Sequence, residues 1–591
     1  MLSKMNSLYE GVSGLLDKIV MVLGVSCVGL FILYYGFPLE TQIYEVFGYI
    51  LYGIALVFVF QELLRFLFCP HFINHLKSRK IEVIFILLLM LTLFAEEIIS
   101  FFVPQQLSNA AIRNLAVGYL AFTQSLIFFT QLVRSIRNSE ILSSYELTSS
   151  RLMAVSFVLP IAVGTLLLKL PNATVEGISW LDALFTATSA VCVTGLAVVD
   201  TQTAFTPFGQ ALIALLFQVG GLGIMTITMS FGFLFARGMA VRERILFSEL
   251  LAEERLGQVG RILIQVTLYT LLAEGVGTIV LYISQKGSLT NLDWPLFLSS
   301  AFHSISAFCN AGFSLFSEGL YAEQVRSNHL YSYAIMGLIV AGGLGYPVFY
   351  NILCVIRDSL TKSRTRRTLV KVQTKMVLIT TLVLLVTGTF AIYLMEGNHS
   401  FQSLGLFEQI RQSAFLSVTS RTAGFNIWPT ESLSFETGLV LMVLMWIGGS
   451  PMSTAGGIKT LTFAMAWLNL TAALRGANKI IVFGREIANS SLNKSYAIIF
   501  GSILILIGST GALILMEPDK NHFDLAFEVV SAFGTVGLSR GVTASLSDSG
   551  KLLIVALMYA GRLGFLVLLN SLYKRYREPS YKVLKENVQI S

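Results

Sequence analysis

Four short segments of the chain combine a glycine with small polar residues, and their spacing suggests that they act together. They read Ser189-Ala-Val-Cys-Val-Thr-Gly-Leu196, Ser306-Ala-Phe-Cys-Asn-Ala-Gly-Phe313, Thr419-Ser-Arg-Thr-Ala-Gly-Phe425 and Ser531-Ala-Phe-Gly-Thr-Val-Gly-Leu538. Their last glycines, at positions 195, 312, 424 and 537, lie 117, 112 and 113 residues apart. Four copies at a nearly constant interval indicate an internal repeat. The chemistry that such segments offer is the binding of a cation by backbone carbonyl oxygens.

The composition places the chain in a membrane. Of its 591 residues, 54% are hydrophobic and only 13% are charged, whereas soluble domains carry roughly 25% charged residues. The apolar runs are about 20 residues long, which is the length needed to cross a bilayer. The formal net charge of +7 is spread over alternate loops and gives no reason to expect a nucleic-acid partner.

The apolar runs predict about twelve spanning helices. Four precede the repeats, near 16–37, 45–68, 81–103 and 113–136. Each repeat then has a first spanning helix, a shorter apolar segment that ends in the glycine pattern, and a second spanning helix. The first helices are predicted near 152–170, 261–284, 373–396 and 494–516, and the second near 209–236, 331–356, 436–473 and 551–573.

This order predicts an all-α polytopic membrane protein with four helix–pore-loop–helix repeats around a pseudo-fourfold pore. The predicted units are a four-helix membrane extension at 1–145, pore repeats at 150–257, 258–371, 372–490 and 491–577, and a cytoplasmic tail at 578–591. The extension is a regulatory or dimer-stabilising domain or an inert scaffold. It has no ladder of basic residues of the kind that senses voltage.

Lysine and arginine are concentrated in alternate loops, which predicts the orientation. Short loops rich in these residues stay in the cytoplasm. One set of loops carries basic clusters, including Arg242 and Arg244, Arg364, Arg366 and Arg367, and Lys574, Arg575 and Arg577. The alternate loops carry little beyond Lys286, Arg326 and Lys520. The chain is therefore predicted to span the inner membrane with both termini in the cytoplasm. The glycine segments are predicted to face outside.

The apolar segments before the glycines are too short to cross the bilayer. They cover about Trp180–Val191, Pro295–Phe308, Leu406–Val418 and Phe523–Phe533. Acidic residues stand at or just before their starts (Asp182, Asp293, Glu408 and Asp524), where the positive end of a helix dipole favours them. We interpret these segments as half-helices that enter from outside, with partially negative C-terminal ends that point at the pore centre and favour a cation.

The glycine segments are the predicted selectivity filter. Non-helical backbone at membrane depth costs several kcal/mol for each unsatisfied group unless it lines water or is buried in protein. A ring of carbonyl groups around an ion removes this cost. The predicted filter residues are Val193, Thr194, Gly195, Asn310, Ala311, Gly312, Thr422, Ala423, Gly424, Thr535, Val536 and Gly537. No segment contains an acidic residue, which favours a monovalent cation over calcium. The alternative, that these glycines only let helices pack closely, is the commoner cause for a single copy.

The third repeat contains a predicted gate. Between Trp446 and Lys459, Pro451 and several glycines interrupt an apolar span, and each disfavours a helix. The predicted gate residues are Gly448, Gly449, Ser450, Pro451, Met452, Ser453, Gly456, Gly457, Lys459 and Arg562. The alternative is a helix kink without a gating role.

Three charged residues, one of them the predicted gate residue Arg562, are predicted within or next to the spans. Arg562 lies in the middle of an apolar helix, where a charge costs at least about 2.5–3.5 kcal/mol and therefore faces water or a partner. Arg421 is expected to support the filter from behind, through Glu528 or Glu408. Glu274 has no evident partner in the sequence.

Together these motifs resemble the Trk/Ktr/HKT superfamily of potassium transporters, in the manner of a TrkH/KtrB-like membrane subunit, over about residues 150–575. Beyond the filter segments, the resemblance rests on Gln218-Val-Gly-Gly-Leu-Gly-Ile224, Gly448-Gly-Ser-Pro-Met-Ser-Thr-Ala-Gly-Gly-Ile-Lys459 and Gly561-Arg-Leu-Gly564. It implies potassium uptake by a single-chain pseudo-tetrameric pore, a homodimer, and a cytosolic nucleotide-binding regulatory ring. It also implies that the loop blocks the path until the regulator moves it, and that Arg562 projects into the cavity under the filter and slows cation passage.

The resemblance also bears on two single positions. Plant members with serine at the first filter glycine transport sodium, so Gly195 favours potassium. Most relatives have glycine where this chain has Met452.

The sequence is also compatible with other functions. Transport could be passive or coupled to sodium or protons, and a sodium-selective member of the same superfamily is the main alternative. A membrane enzyme is poorly supported, because the chain has no H-E-x-x-H motif. The potassium ion is the only expected cofactor: no covalent group is predicted, and a nucleotide is expected only through the regulatory partner.

Overall fold

The computed structural model describes scattered residues between 26 and 60, and then residues 149–222, 259–286, 296–360, 369–477 and 479–572. The predicted helices near 81–103 and 113–136 and the tail at 578–591 lie outside the described residues, as do most of the two earlier helices and residues 223–236.

Fifteen helices of eight or more residues form the described part of the four repeats. They are α1 (Ser149–Leu168), α2 (Trp180–Val191), α3 (Pro207–Gly221), α4 (Val259–Gln285), α5 (Leu296–Cys309), α6 (His329–Leu344), α7 (Tyr346–Leu360), α8 (Val372–Glu396), α9 (Leu406–Thr419), α10 (Phe435–Trp446), α11 (Thr460–Leu474), α12 (Asn489–Met516), α13 (His522–Gly534), α14 (Asp548–Leu563) and α15 (Phe565–Leu572). A two-stranded antiparallel hairpin, β1 (Ile481–Val482) and β2 (Arg485–Glu486), lies between α11 and α12.

The long first helices suit a lipid environment. Within the described residues, α4, α8 and α12 are long and apolar enough to cross a membrane, and the bent pair α6 and α7 adds a fourth span. Large apolar side chains on these three helices are exposed, among them Leu272, Val386 and Ile507. Their backbone groups are satisfied within each helix, as hydrocarbon requires. These observations agree with an all-α polytopic membrane protein.

The half-helices occur where the sequence predicts them. The observed bounds of α2 equal the predicted ones, and α5, α9 and α13 each end one residue later than predicted. The Ser179 hydroxyl caps α2 by accepting from Asp182 N at 3.0 Å, and Asn521 caps α13 in the same way. The predicted start of α5 at Asp293 and Pro295 lies outside the described residues.

Besides the expected break in the span near 436–473, which is divided between α10 and α11, two of the predicted second helices are not continuous, and the expectation of a single spanning helix is wrong there. The span near 331–356 bends by 97° between α6 and α7, and the span near 551–573 is interrupted at Gly564. Gly345 and Gly564 have φ values of 77° and 83°, a positive-φ backbone that glycine adopts readily and that cannot continue a right-handed helix. At Gly345 a side chain would also meet Met452 O at 2.8 Å.

The repeats close into a ring. The second helix of each repeat packs on the half-helix of the next: α3 on α5, α6 on α9, α10 on α13, and α14 back on α2. The half-helices are the most deeply buried elements, with side chains such as Phe185, Phe415 and Phe527 fully covered. This arrangement directs the C-terminal ends of all four half-helices toward one centre.

Candidate functional site

The four filter glycines lie against one another in cyclic order. A β-carbon placed on Gly195 would lie 3.0 Å from the Cα atom of Gly312, and one on Gly312 would lie 3.3 Å from that of Gly424. The corresponding distances from Gly424 to Gly537 and from Gly537 back to Gly195 are 3.1 Å and 3.0 Å. No residue with a side chain fits at any of the four positions. The structure thus brings together segments that are more than 100 residues apart in sequence.

The backbone has the same unusual conformation in each segment. The glycines have φ values of 90°, 71°, 75° and 94°. The residues two positions earlier, Val193, Asn310, Thr422 and Thr535, also have positive φ, between 50° and 74°. Positive φ is uncommon outside glycine, so its fourfold recurrence marks a constrained geometry. The carbonyl oxygens of Thr194, Ala311, Ala423 and Val536 each lie next to the glycine of the adjacent repeat, which places four carbonyl groups around the centre.

Polar side chains of the same four segments are also buried. Thr194 Oγ1, Asn310 Oδ1 and Thr535 Oγ1 are buried and have no hydrogen-bond partner among the described residues. In the third repeat, Thr422 Oγ1 accepts from Asn310 Nδ2 at 3.2 Å. Buried polar atoms are normally paired, so unpaired oxygens on three filter segments are consistent with a place for a cation.

A hydroxyl on each half-helix holds its filter segment from behind, which sequence reasoning missed. Ser189 and Ser531 accept from the backbone N–H groups of Gly195 and Gly537, both at 3.1 Å. In the other two repeats the hydroxyls donate to carbonyl groups just after the glycines: Ser306 to Phe313 O at 2.8 Å and Thr419 to Phe425 O at 2.6 Å. The recurrence of serine or threonine at the start of all four segments was the available signal.

A cavity of about 260 Å³, here called the vestibule, opens on one side of the filter glycines. Its wall consists of the chain that follows each glycine, including Ser314, Asn426, Ser539 and Thr543. Asp200 is the one acidic residue among the described residues that line it, and its carboxylate accepts from Thr203 N at 2.9 Å. The vestibule is therefore lined largely by glycine and polar residues, with one acidic side chain among the described residues.

Residues 447–459, here called the inner loop, lie against two of the filter segments. The loop is closed at its base, where Gly448 N donates to Ile458 O at 2.8 Å. A β-carbon on Gly448 would lie 3.2 Å from Thr422 Cγ2, and one on Gly456 would lie 2.9 Å from Thr535 Cβ. The loop thus touches the residues that begin the left-handed turn in repeats 3 and 4, and only glycine allows this approach.

The inner loop is also fixed to repeat 2. Ser450 N donates to Gly343 O at 2.9 Å, and Thr454 N donates to Gly342 O at 3.3 Å. These carbonyl groups are available because α6 ends at the adjacent bend. Met452 has a φ of 59°, which is a left-handed conformation that glycine adopts more easily.

Arg562 joins three parts of the protein. Its two Nη atoms donate to Thr454 O in the inner loop and to Gly220 O at the end of α3. The residue is 2% exposed, so its guanidinium group is enclosed by these partners. Lys459, the last residue of the inner loop, donates from Nζ to Ala455 O within the same loop at 2.5 Å. The predicted role of Arg562 as a charge barrier stays a prediction.

Arg421 binds the inner loop, and the expected partners Glu528 and Glu408 are wrong. Its Nη2 atom donates to Gly448 O at 2.9 Å. Glu408 instead accepts from Arg411 Nε at 2.9 Å, and Glu528 accepts from hydroxyl groups. The physical reason is distance: Glu408 lies in the first turn of α9 and Arg421 follows its last turn, so about 20 Å of helix separates them.

Glu274 lies in a buried polar contact between repeats 1 and 2. One carboxylate oxygen accepts from Gln218 Nε2 at 3.1 Å, and the other lies 3.7 Å from Cys309 Sγ. These residues belong to α3, α4 and α5. Glu274 therefore connects the end of the second half-helix to its neighbouring helices, which the sequence did not reveal.

Comparisons with known proteins identify the family. The family model TrkH, described as a cation transport protein, matches residues 121–574. The Ktr system potassium uptake protein B of Vibrio alginolyticus is 38% identical over 71% of this chain and 90% of its own length. The protein of the same name from Bacillus subtilis is 34% identical over 74% and 96%.

Two further comparisons concern ions and fold. The potassium/sodium uptake protein NtpJ of Enterococcus hirae is 34% identical over 75% of this chain and 98% of its own length. The crystal structure of the potassium transporter TrkH from Vibrio parahaemolyticus has a TM-score of 0.56 at 16% identity and covers 82% of this chain and 96% of that one. At this identity the structure is evidence for a shared fold alone.

Proposed function

This chain belongs to the TrkH family of cation transport proteins, and we propose that it carries potassium into the cell through the ring of four filter segments. The observation that carries this proposal is the closed ring of glycines 195, 312, 424 and 537, each against the next. Relatives that the chain matches over 90% or more of their length are named as potassium uptake proteins.

The neutral character of the ring supports selection of a monovalent cation. Carbonyl dipoles replace the water shell of an ion, and the number and placement of these dipoles decide between ions. The filter segments contribute carbonyl groups and the oxygens of Thr194, Asn310 and Thr535, with no carboxylate. A divalent ion, which is more strongly hydrated, would lack the charged ligands that it needs.

We further propose that the inner loop is the gate. It touches Thr422 and Thr535 of the filter, and bonds from Arg421 and Arg562 hold it in place. A loop that blocks the path has to be displaced before ions pass. In this proposal a cytosolic nucleotide-binding ring drives the displacement of the loop. The transporter works as a homodimer in the inner membrane, with both termini in the cytoplasm. Flux is passive or coupled to sodium or protons.

The test is rubidium uptake in a strain that lacks its own potassium uptake systems, repeated with Gly195→Ser. A β-carbon at position 195 would lie 2.6 Å from Ala311 O, and the φ of 90° is strained for serine. We expect the variant to lose uptake or to lose its preference for rubidium over sodium. The matched control is Gly508→Ser, because a β-carbon at Gly508 on α12 meets nothing within 4 Å.

The outcomes separate the two candidate ions. Wild-type uptake of rubidium supports a potassium transporter, and uptake of sodium alone supports a sodium-selective protein of the same family, as the name of NtpJ suggests. A Gly195→Ser variant with unchanged ion preference contradicts the assignment of the filter.

A further inference from the structure

One position in the half-helices carries a titratable residue in two of the four repeats. Nine residues before the filter glycines stand Thr186, His303, Phe415 and Glu528. Repeats 2 and 4 lie opposite each other in the ring, since each packs on repeats 1 and 3. The side chains of His303 and Glu528 are fully buried, and both face the chain segment that follows their own filter glycine and forms the wall of the vestibule.

His303 is held as a neutral imidazole by its hydrogen bonds. Leu315 N donates to its Nε2 atom at 3.2 Å, so this nitrogen carries no proton. The Nδ1 atom then carries the proton and donates to Ser299 O at 2.9 Å. Protonation of the ring would break the bond from Leu315. The histidine therefore supports the wall as a neutral group.

Glu528 has a different environment, in which two hydroxyl groups and the backbone N–H group of Arg540 face the carboxyl. Its two carboxyl oxygens contact Ser539 Oγ and Thr543 Oγ1, the latter at 3.0 Å. The two hydroxyl oxygens also lie 2.9 Å from each other. The carboxyl group and the two hydroxyl groups are thus the corners of a closed triangle, and an oxygen–oxygen contact forms each of its three sides. The two hydroxyl groups supply only two protons for these three contacts. A third hydrogen bond in the triangle therefore requires a proton on the Glu528 carboxyl.

Among the residues that the structure describes, no basic side chain offsets a negative charge on Glu528. Arg540 follows the filter but donates to Asp524 Oδ1 at 2.7 Å and to carbonyl groups of repeat 3. On the packed helix α14, Lys551 pairs with Asp182 at 2.7 Å and Arg562 binds the inner loop.

The other charged groups on the surrounding elements are directed elsewhere. Glu436 on α10, Lys494 on α12 and Asp548 on α14 are exposed. Burying an unpaired carboxylate away from water is costly. The surroundings of Glu528 therefore favour the neutral, protonated carboxyl.

We propose that Glu528 is a proton-binding residue whose ionisation sets the affinity of the vestibule for the entering cation. Ser539 and Thr543 line the cavity, so the carboxyl lies one side chain behind its wall. In the step, the carboxyl O–H bond breaks and the proton passes to vestibule water. Both hydroxyl protons then point to the carboxylate, and a negative charge stands behind the entrance. A cation in the vestibule is attracted to this charge, and protonation removes the attraction.

The experiment measures rubidium uptake by the full-length protein in proteoliposomes, with the pH on the vestibule side varied between about pH 5.5 and about pH 8. It rests on the proposed uptake function. In the wild type we expect KM for rubidium to rise roughly tenfold with acidification and the maximum rate to change little. A unit charge would have an effect of this size on an ion about 12 Å away if the effective dielectric constant were about 20.

Two variants isolate Glu528. Glu528→Gln is a permanently neutral analogue whose amide still supplies a donor to the triangle, so its KM should stay high and independent of pH. Glu528→Asp retains an ionisable group and should retain a pH-dependent KM. The matched control is Glu517→Gln, because Glu517 is another buried carboxylate, bound to Ser547 N rather than to the vestibule wall. This control should keep the wild-type pH profile.

A second measurement covers the case in which Glu528→Gln fails to fold. Thr543→Val removes one donor to the ionised carboxylate and should move the midpoint of the KM profile to higher pH. An unchanged midpoint, a wild-type KM that does not depend on pH, or a Glu528→Gln variant with the wild-type profile overturns the proposal. A wild type that takes up no rubidium at any pH refutes the proposed function instead, so the two failures are distinct.

Discussion

The double attachment of Arg562 leads to a prediction that separates two roles for this residue. Its guanidinium group donates hydrogen bonds both to Thr454 O in the inner loop and to Gly220 O on α3. We call this pair of hydrogen bonds the clasp, and it acts in addition to the positive charge of the residue. Arg562→Lys keeps the charge, but an ammonium group cannot reproduce the planar fork that reaches both carbonyls. Arg562→Gln removes the charge and most of the clasp.

The magnitude follows from the bonds that are lost. A hydrogen bond to a charged group contributes about 1.5–3 kcal/mol. If the lysine variant loses one of the two bonds, the closed position of the inner loop is destabilised by about that amount. Since about 1.4 kcal/mol corresponds to a tenfold change in an equilibrium constant, the open population should rise roughly 10- to 100-fold.

The assay is the initial rate of rubidium uptake by purified protein in proteoliposomes without a regulatory partner. If the clasp dominates, Arg562→Lys and Arg562→Gln should both show a strongly raised rate. If the charge dominates, only Arg562→Gln should. Arg475→Lys is the matched control, because Arg475 is exposed beyond the end of α11 and its rate should equal the wild-type rate.

A specific result refutes the clasp. An Arg562→Lys variant that is folded, as judged by its melting temperature, and that transports at the wild-type rate leaves the charge barrier as the only role. A lowered rate in both variants contradicts the proposed gate altogether, because loosening a plug cannot slow the ions that it blocks.

Two further predictions concern a contact within repeat 3 and a contact between repeats 4 and 1. Arg421→Met removes the hydrogen bond to Gly448 O and should raise the rubidium uptake rate roughly tenfold or more. The preference for rubidium over sodium should not change. A changed preference with an unchanged rate would place Arg421 in the filter instead of at the gate. Lys551→Met breaks the 2.7 Å pair with Asp182 that joins repeats 4 and 1 and should lower the free energy of unfolding by about 1 kcal/mol, because the pair is only partly buried. Combined with Asp182→Asn, the loss in thermal stability should be smaller than the sum of the single losses, and strict additivity would show that the two side chains do not interact.

Much of the fold could be predicted because its signals are local. The half-helix bounds follow from short apolar segments between an acidic start and a glycine end, and α2 begins and ends at its predicted residues, Trp180 and Val191. The interruption around Pro451 follows from the poor helix propensity of proline and glycine. The bend at Gly345 was not predicted, because a single glycine in an apolar run does not distinguish a packing site from a left-handed turn.

The partners of the buried charged groups depended on the tertiary structure. Arg421 and Arg562 bind carbonyl groups, and every peptide bond offers a carbonyl, so no pattern of side chains in the sequence identifies the acceptor. Glu528 is bound by two hydroxyl groups that follow the same filter glycine, in a region where the sequence suggested only a possible partner for Arg421.

The amino-acid sequence by itself determined that four equivalent segments exist, that each follows a half-helix, and that the path between them lacks carboxylates. These properties are set by composition and spacing along one chain. Only the tertiary structure decided that Gly195 meets Gly312 and Gly537, and that the inner loop rests on Thr422 and Thr535. Contacts of this kind join residues far apart in sequence, and they form because the closing of the ring brings four half-helix ends to one place.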